Sequence, residues 1–192
     1  DWSSDVCSSD LKGRNLLSPI GATRPTSDRA REALFSTLES EFGEFTDIYF
    51  LDLYCGSGAV AAEALSRGVA SVHAVDNDDK AVKVARENLA LFEKISGSGT
   101  SQVFLSSAQR FLDSKSNVKY DIVFIDPPYE LDNASVEKIL SSLRSHIKTS
   151  TIIAVERDAK TQPFDWPSEY QPTKERTYGH AVIYYGTPAQ NG

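Results

Sequence analysis

The chain has 192 residues, 40% hydrophobic and 24% charged, which fits one globular domain and leaves almost no room for a second recognition module. Twenty basic residues stand against 27 acidic ones, and the net charge of −7 argues against broad, nonspecific attraction to nucleic acid. No run approaches the roughly 18 apolar residues of a membrane span, so no membrane association is expected. Cys7 and Cys55, 48 positions apart and outside any CxxC or Cys/His pattern, suggest neither a disulfide framework nor a metal site. With no signal peptide, a reducing cytoplasm is the expected compartment.

Residues 1–10, DWSSDVCSSD, form a Ser/Asp string without apolar periodicity, and the chain holds no methionine, so the string reads as a foreign or mistranslated start and is set apart from the fold. Residues 11–46 read as a basic segment and helix. Between Leu11 and Arg31, the cations Lys12, Arg14, Arg24, Arg29 and Arg31 face one acid, Asp28, giving this stretch +4 while the remainder sums to −11. Such an arm suits phosphate, although a solvated helix face would carry the same arginines. Pro25 and Thr26-Ser27-Asp28 offer helix-starting chemistry, and Ala30, Ala33, Leu34 and Leu38 recur at helical spacing, predicting a helix over 27–41.

Residues 47–186 read as the main domain and 187–192 as a tail. Ile48 to Leu53 is a strand, Cys55-Gly56-Ser57-Gly58 a glycine turn, and AVAAEALSRG a helix stopped by Gly68. A strand over 70–75 ends at Asp76, and a helix spans 78–92. A short strand at 102–105 and a short helix at 108–112 follow. Tyr120 to Ile125 has the look of a buried central strand ending at Asp126-Pro127-Pro128-Tyr129. A helix over 133–146, a strand over 151–156 and a strand pair at 171–176 and 180–185 complete the count, with Tyr178-Gly179-His180 as the turn of that pair. This order implies an α/β fold with a doubly wound, mostly parallel, seven-stranded sheet and an antiparallel C-terminal edge hairpin.

In such a sheet, ligands sit beyond the carboxyl ends of the strands. Gly56 and Gly58 let the backbone approach a ligand at a helix N-terminus, although a lone GxG is also a structural turn. Asp76 lies 18 residues after Gly58, where a carboxylate accepts from ribose hydroxyls, or caps the next helix. Gly56-Ser57-Gly58-Ala59-Val60-Ala61 also satisfies GxGxxA, so a nicotinamide cofactor is formally allowed. Asp52, just before the turn, would repel a pyrophosphate but meet an ammonium, which favours S-adenosylmethionine.

The two prolines of Asp126-Pro127-Pro128-Tyr129 fix the chain's direction and leave carbonyl acceptors. An amino group on a planar base is a poor nucleophile. The Asp126 carboxylate and Pro127 carbonyl would accept its two hydrogens and orient the nitrogen, while Tyr129 stacks on the base, worth about 1–3 kcal/mol. A rigid strand-to-loop turn is the structural alternative. Glu156-Arg157 at a strand end reads either as pocket-shaping or as a structural ion pair. Cys55 is given no nucleophilic role.

LDLYCGSGAVAAEALSRG, the VDND strand end, DIVFIDPPYE and the N-terminal KGRNLLSPIGATRPTSDRAREALFSTLE together resemble the bacterial 16S ribosomal RNA guanine-N2 methyltransferase family, whose members modify guanine 966. The resemblance covers roughly residues 11–186. It implies a Rossmann-like class I methyltransferase in which Asp52, Tyr54, Gly56, Gly58, Asp76 and Asn77 line the S-adenosylmethionine site, joined by Ser107 and Ala108, and Asp126 to Tyr129 hold the target guanine. Many relatives are acidic where this chain has Ser107. The family also opens with a short apolar strand, whose place DWSSDVCSSD occupies. The implied partner is 16S ribosomal RNA in a folded or assembled 30S particle, met by a monomer without a metal. An adenine-N6 or other amino-group methyltransferase acting on DNA, a nicotinamide-dependent oxidoreductase, and an inactive RNA-binding factor are the alternatives.

Overall fold

The computed structural model describes residues 7–11, 14–16, 28–93 and 99–190. Cys7–Leu11 (β1) pairs antiparallel with Arg14–Leu16 (β2). Four residues of the opening string, Cys7 to Asp10, thus lie in a strand. Backbone pairing in a two-stranded ribbon needs no apolar periodicity, which is the pattern the sequence reading relied on.

Asp28–Phe42 (α1) buries Ala30, Leu34, Phe35 and Leu38 along one stripe and ends at Gly43, whose φ of 73° is the left-handed conformation of a helix stop. The chain then alternates: Tyr49–Leu53 (β3), Ala59–Ser66 (α2), Ser71–Asp76 (β4), Asp79–Glu93 (α3), Thr100–Leu105 (β5), Ala108–Asp113 (α4), Tyr120–Ile125 (β6) and Asn133–Leu143 (α5). Ile147–Asp158 (β7), Tyr170–Tyr178 (β8) and Ala181–Pro188 (β9) close it.

Seven strands form one sheet in the order β5-β4-β3-β6-β7-β9-β8. β3 to β7 run parallel, and β9 is antiparallel to both β7 and β8, as expected for the C-terminal edge. One apolar layer joins α1, α2 and α3 to the sheet through residues such as Phe35, Ala61, Ala85 and Phe124; the other joins α4 and α5 through Leu112, Val136, Leu140 and Ile125. β6 is buried at every position because both of its faces are covered. The chain winds outward from β3 to β5, then returns to lay β6 on the other side of β3. The carboxyl ends of β3 and β6 therefore flank the topological switch point.

Several boundaries differ from the sequence reading, among them β5, which begins at Thr100 rather than 102. β7 starts at Ile147 rather than 151, because Thr151 Oγ1 donates to the Tyr120 carbonyl at 2.6 Å and accepts the Lys148 N–H at 2.8 Å, tying a polar, exposed extension to the sheet where the β6 register slips. The helix expected over 133–146 ends at Leu143 and tightens into a 3-10 turn over Arg144–His146. The final hairpin is longer on both arms, and its outer strand tolerates Pro172 because an edge strand needs fewer donors. Among the described residues no helix is long and apolar enough to cross a membrane.

Candidate functional site

Beyond Leu53 the backbone turns sharply, with Tyr54 at φ 66°, Gly56 at 53° and Gly58 at 75°. A side chain at Gly58 would have to hold that φ and also stand 3.1 Å from the Ala85 Cβ of α3, so only glycine fits. The turn is fixed from two sides. Asp76, at the end of β4, accepts the Gly56 N–H at 2.8 Å through Oδ2 and the Asp78 N–H at 2.9 Å through Oδ1. From α3, buried Asn88 donates its side-chain amide to the Ser57 carbonyl at 2.9 Å. Asp76 is thus a brace for the glycine turn that keeps lone pairs for a further donor.

Asp52 is 1% exposed and accepts the Ala61 N–H of α2 at 3.1 Å. Burial pushes its carboxyl well above the usual range; neighbouring Asp126 and, more weakly, Asp76 push the same way, against the Ala61 hydrogen bond. Three carboxylates therefore converge on the ends of three adjacent strands. A pyrophosphate would be repelled there, whereas a cationic ligand would relieve the repulsion. Cys55, buried in the same turn, has its thiol pushed up by burial and then by Asp52 and Asp76, which is the reverse of what a nucleophile requires.

The Asp126 N–H donates to the Leu53 carbonyl at 3.3 Å, carrying the β3–β6 pairing one residue past Ile125. The loop that follows is closed by Leu131 N–H on the Pro128 carbonyl at 3.0 Å and by Asp132, which caps α5 through the Ser135 N–H at 2.7 Å. Pro127 is buried, while Pro128 and Tyr129 are exposed, Tyr129 at 39%. A planar partner can reach that ring. At the end of β5 the Ser106 N–H donates to the Asp76 carbonyl at 2.9 Å, bringing Ser107 and Ala108 beside Asp76 and exposed Asn77. Ser107 Oγ caps α4 through the Arg110 N–H at 3.3 Å, and Ala108 is buried. No group of His, Cys, Asp and Glu among the described residues is arranged to hold a metal.

The positions named along β3 to β6 thus meet at one rim. The basic positions do not. Arg29 is exposed, but Arg31 is 2% exposed, with Nη2 2.7 Å from Asp28 and Nε 4.0 Å from Glu63. Arg31 lies on the stripe that buries Phe35 and Leu38, so the expectation that it faces RNA is corrected: its charge is spent inside the fold. Lys12 and Arg24 lie outside the described residues, and Arg14 sits in β2. Glu156 and Arg157, expected as a pocket edge or an ion pair, point to opposite sheet faces by strand alternation; the Arg157 Nη2 bonds the Leu131 carbonyl at 2.7 Å. The Asn88 brace and the Arg157 contact were missed, since each joins elements far apart in sequence.

The family model described as Conserved hypothetical protein 95 matches residues 5–187. Ribosomal RNA small subunit methyltransferase D of Escherichia coli (strain K12) is 32% identical over 174 residues, covering 89% of this chain and 83% of that protein. YlbH of Bacillus subtilis (strain 168), whose name assigns it provisionally as an rRNA methyltransferase, is 30% identical over 177 residues, covering 91% and 93%. The solved structure of yhhF from Escherichia coli, described as a candidate methyltransferase, superposes with a TM-score of 0.76 at 29% identity, covering 92% of each chain.

Proposed function

The chain belongs to the Conserved hypothetical protein 95 family, and from that membership and the geometry of its rim we propose that it is an S-adenosylmethionine-dependent methyltransferase acting on ribosomal RNA, at the exocyclic N2 of a guanine in the 16S RNA of the small subunit. The names carried by its relatives support the RNA substrate. One observation carries the chemistry: the glycine turn after β3 and the Asp126–Tyr129 loop after β6 leave neighbouring strands at the switch point, joined by the Asp126–Leu53 hydrogen bond. The buried Asp52 with two carboxylates beside it fits a cation, which the ammonium and sulfonium of S-adenosylmethionine provide, and disfavours the anionic pyrophosphate of a dinucleotide.

When bound, the cofactor supplies an electrophilic methyl on sulfur. The protein's own groups do the rest. Asp52 and Asp76 hold the charge and shape of the cofactor pocket. The Asp126 carboxylate and the Pro127 carbonyl accept the two hydrogens of the amine, aiming its lone pair. Tyr129 stacks on the base, which must leave its own stack to enter. Alignment of this kind supplies up to about 7–11 kcal/mol of the barrier. The body of this domain is acidic, so specificity comes from the shape of a folded RNA or an assembled 30S particle, with Arg29 and the basic segment touching its backbone.

The test is methyl transfer from labelled cofactor to unmodified 30S particles, with nucleoside mass spectrometry of the product. Wild-type protein yields N2-methylguanine at one position, and Asp126→Ala abolishes transfer while cofactor binding survives. Methylated adenine, methylated DNA in a parallel reaction, or full activity of the variant would overturn the reading.

A further inference from the structure

Arg157 ends the inner stretch of β7 on the same sheet face as Ile153 and Val155. Val155 pairs with Ile125, so β6 leaves the sheet for the Asp126–Asp132 loop directly beside Arg157. The side chain is 2% exposed. Its Nη2 donates to the Leu131 carbonyl at 2.7 Å and, more weakly, to Asn133 Oδ1 at 3.4 Å. Its Nε and Nη1 are buried with no hydrogen-bond partner among the described residues. A buried guanidinium with unspent donors is costly to the fold. Met or Leu would fill the same space at less cost, so packing does not explain the residue. Its charge, however, has a clear direction: the groups around it are Asp126 and Asp132 of the loop, Tyr54 of the glycine turn and Tyr184 of β9. Asp126 in turn faces Asp52 of β3, a like charge.

We propose that Arg157 is a positioning residue for methyl transfer: it pins the exit of the Asp126–Tyr129 loop through the Leu131 carbonyl and supplies the positive charge that keeps the Asp126 carboxylate ionised beside Asp52. An ionised Asp126 accepts from the amine; a protonated one offers an O–H where an acceptor is needed. This rests on the role given to Asp126 above.

The experiment compares Arg157→Met, which removes charge and donors, with Arg157→Lys, which keeps the charge, by recording kcat against pH on 30S particles. Arg157→Met moves the acid limb upward by about one pH unit, which lowers kcat roughly tenfold at pH values on that limb; Arg157→Lys leaves the limb in place. Affinity for S-adenosylhomocysteine, read by calorimetry, is unchanged in both. If Arg157→Met does not fold, Arg157→Gln, which keeps donors without charge, gives the same shift. An acid limb that stays put without the charge, or that moves equally in the Lys variant, overturns the inference while Asp126→Ala remains inactive. Full activity of Asp126→Ala would instead overturn the reading on which it rests.

Discussion

Two buried aspartates on neighbouring central strands are treated oppositely by the fold. Asp121, at the amino end of β6, is 7% exposed: its Oδ2 accepts the Tyr49 N–H at 2.9 Å and its Oδ1 meets Lys148 Nζ at 2.7 Å. Asp52, at the carboxyl end of β3, is 1% exposed, accepts one backbone N–H and is faced by two more carboxylates. The chain neutralises the first with its own lysine. On the proposed reading, the second is met by a charge brought from outside. A site is recognised here less by burial of an acid than by the absence of internal compensation for it, as expected where stability is traded for binding.

Exchanging these fates should break the contrast. Asp52→Asn keeps the shape and the bond from Ala61, so it should weaken S-adenosylmethionine binding about 10- to 100-fold while raising unfolding stability by roughly 1 kcal/mol; calorimetry and thermal melting read the two signs. Asp121→Ala strands the Tyr49 N–H and frees Lys148, and should lower stability by about 1 kcal/mol with cofactor affinity unaltered, most of the loss coming from the backbone N–H because Lys148 is 41% exposed. A variant at Asp52 that lost stability, or one at Asp121 that lost cofactor, would make the two acids equivalent.

Much of the candidate site is legible because its backbone signals are local. Gly56 and Gly58 and the pair Pro127-Pro128 announce unusual backbone within a few residues, and Asp76 follows at a spacing set by one helix and one strand. What escaped depends on partners brought together by folding. Asn88 reaches Ser57 across 31 positions, and Arg157 reaches Leu131 across 26. Neither residue type is rare enough to stand out in a helix or at a strand end. Arg31 was misjudged for a different reason. Its charge suggests a phosphate contact, while its spacing to Phe35 and Leu38 places it on the buried stripe of α1. β7 was read short because residues 148–150 are polar and exposed and are held by Thr151 rather than by packing. The strand at Cys7–Leu11 had no pattern to find.

The state of Asp52 decides the account. In the folded chain its pKa stands above the unfolded value, so the folded state holds the proton more tightly, and this group's contribution to stability falls as pH rises through that window. A bound cation reverses the preference and expels the proton. Titration calorimetry of S-adenosylmethionine binding, repeated in buffers of different ionisation enthalpy, measures that proton directly. Release on binding in the wild type, and its disappearance in Asp52→Asn, is the expected result; binding with no proton released at any pH at which the chain stays folded would contradict it.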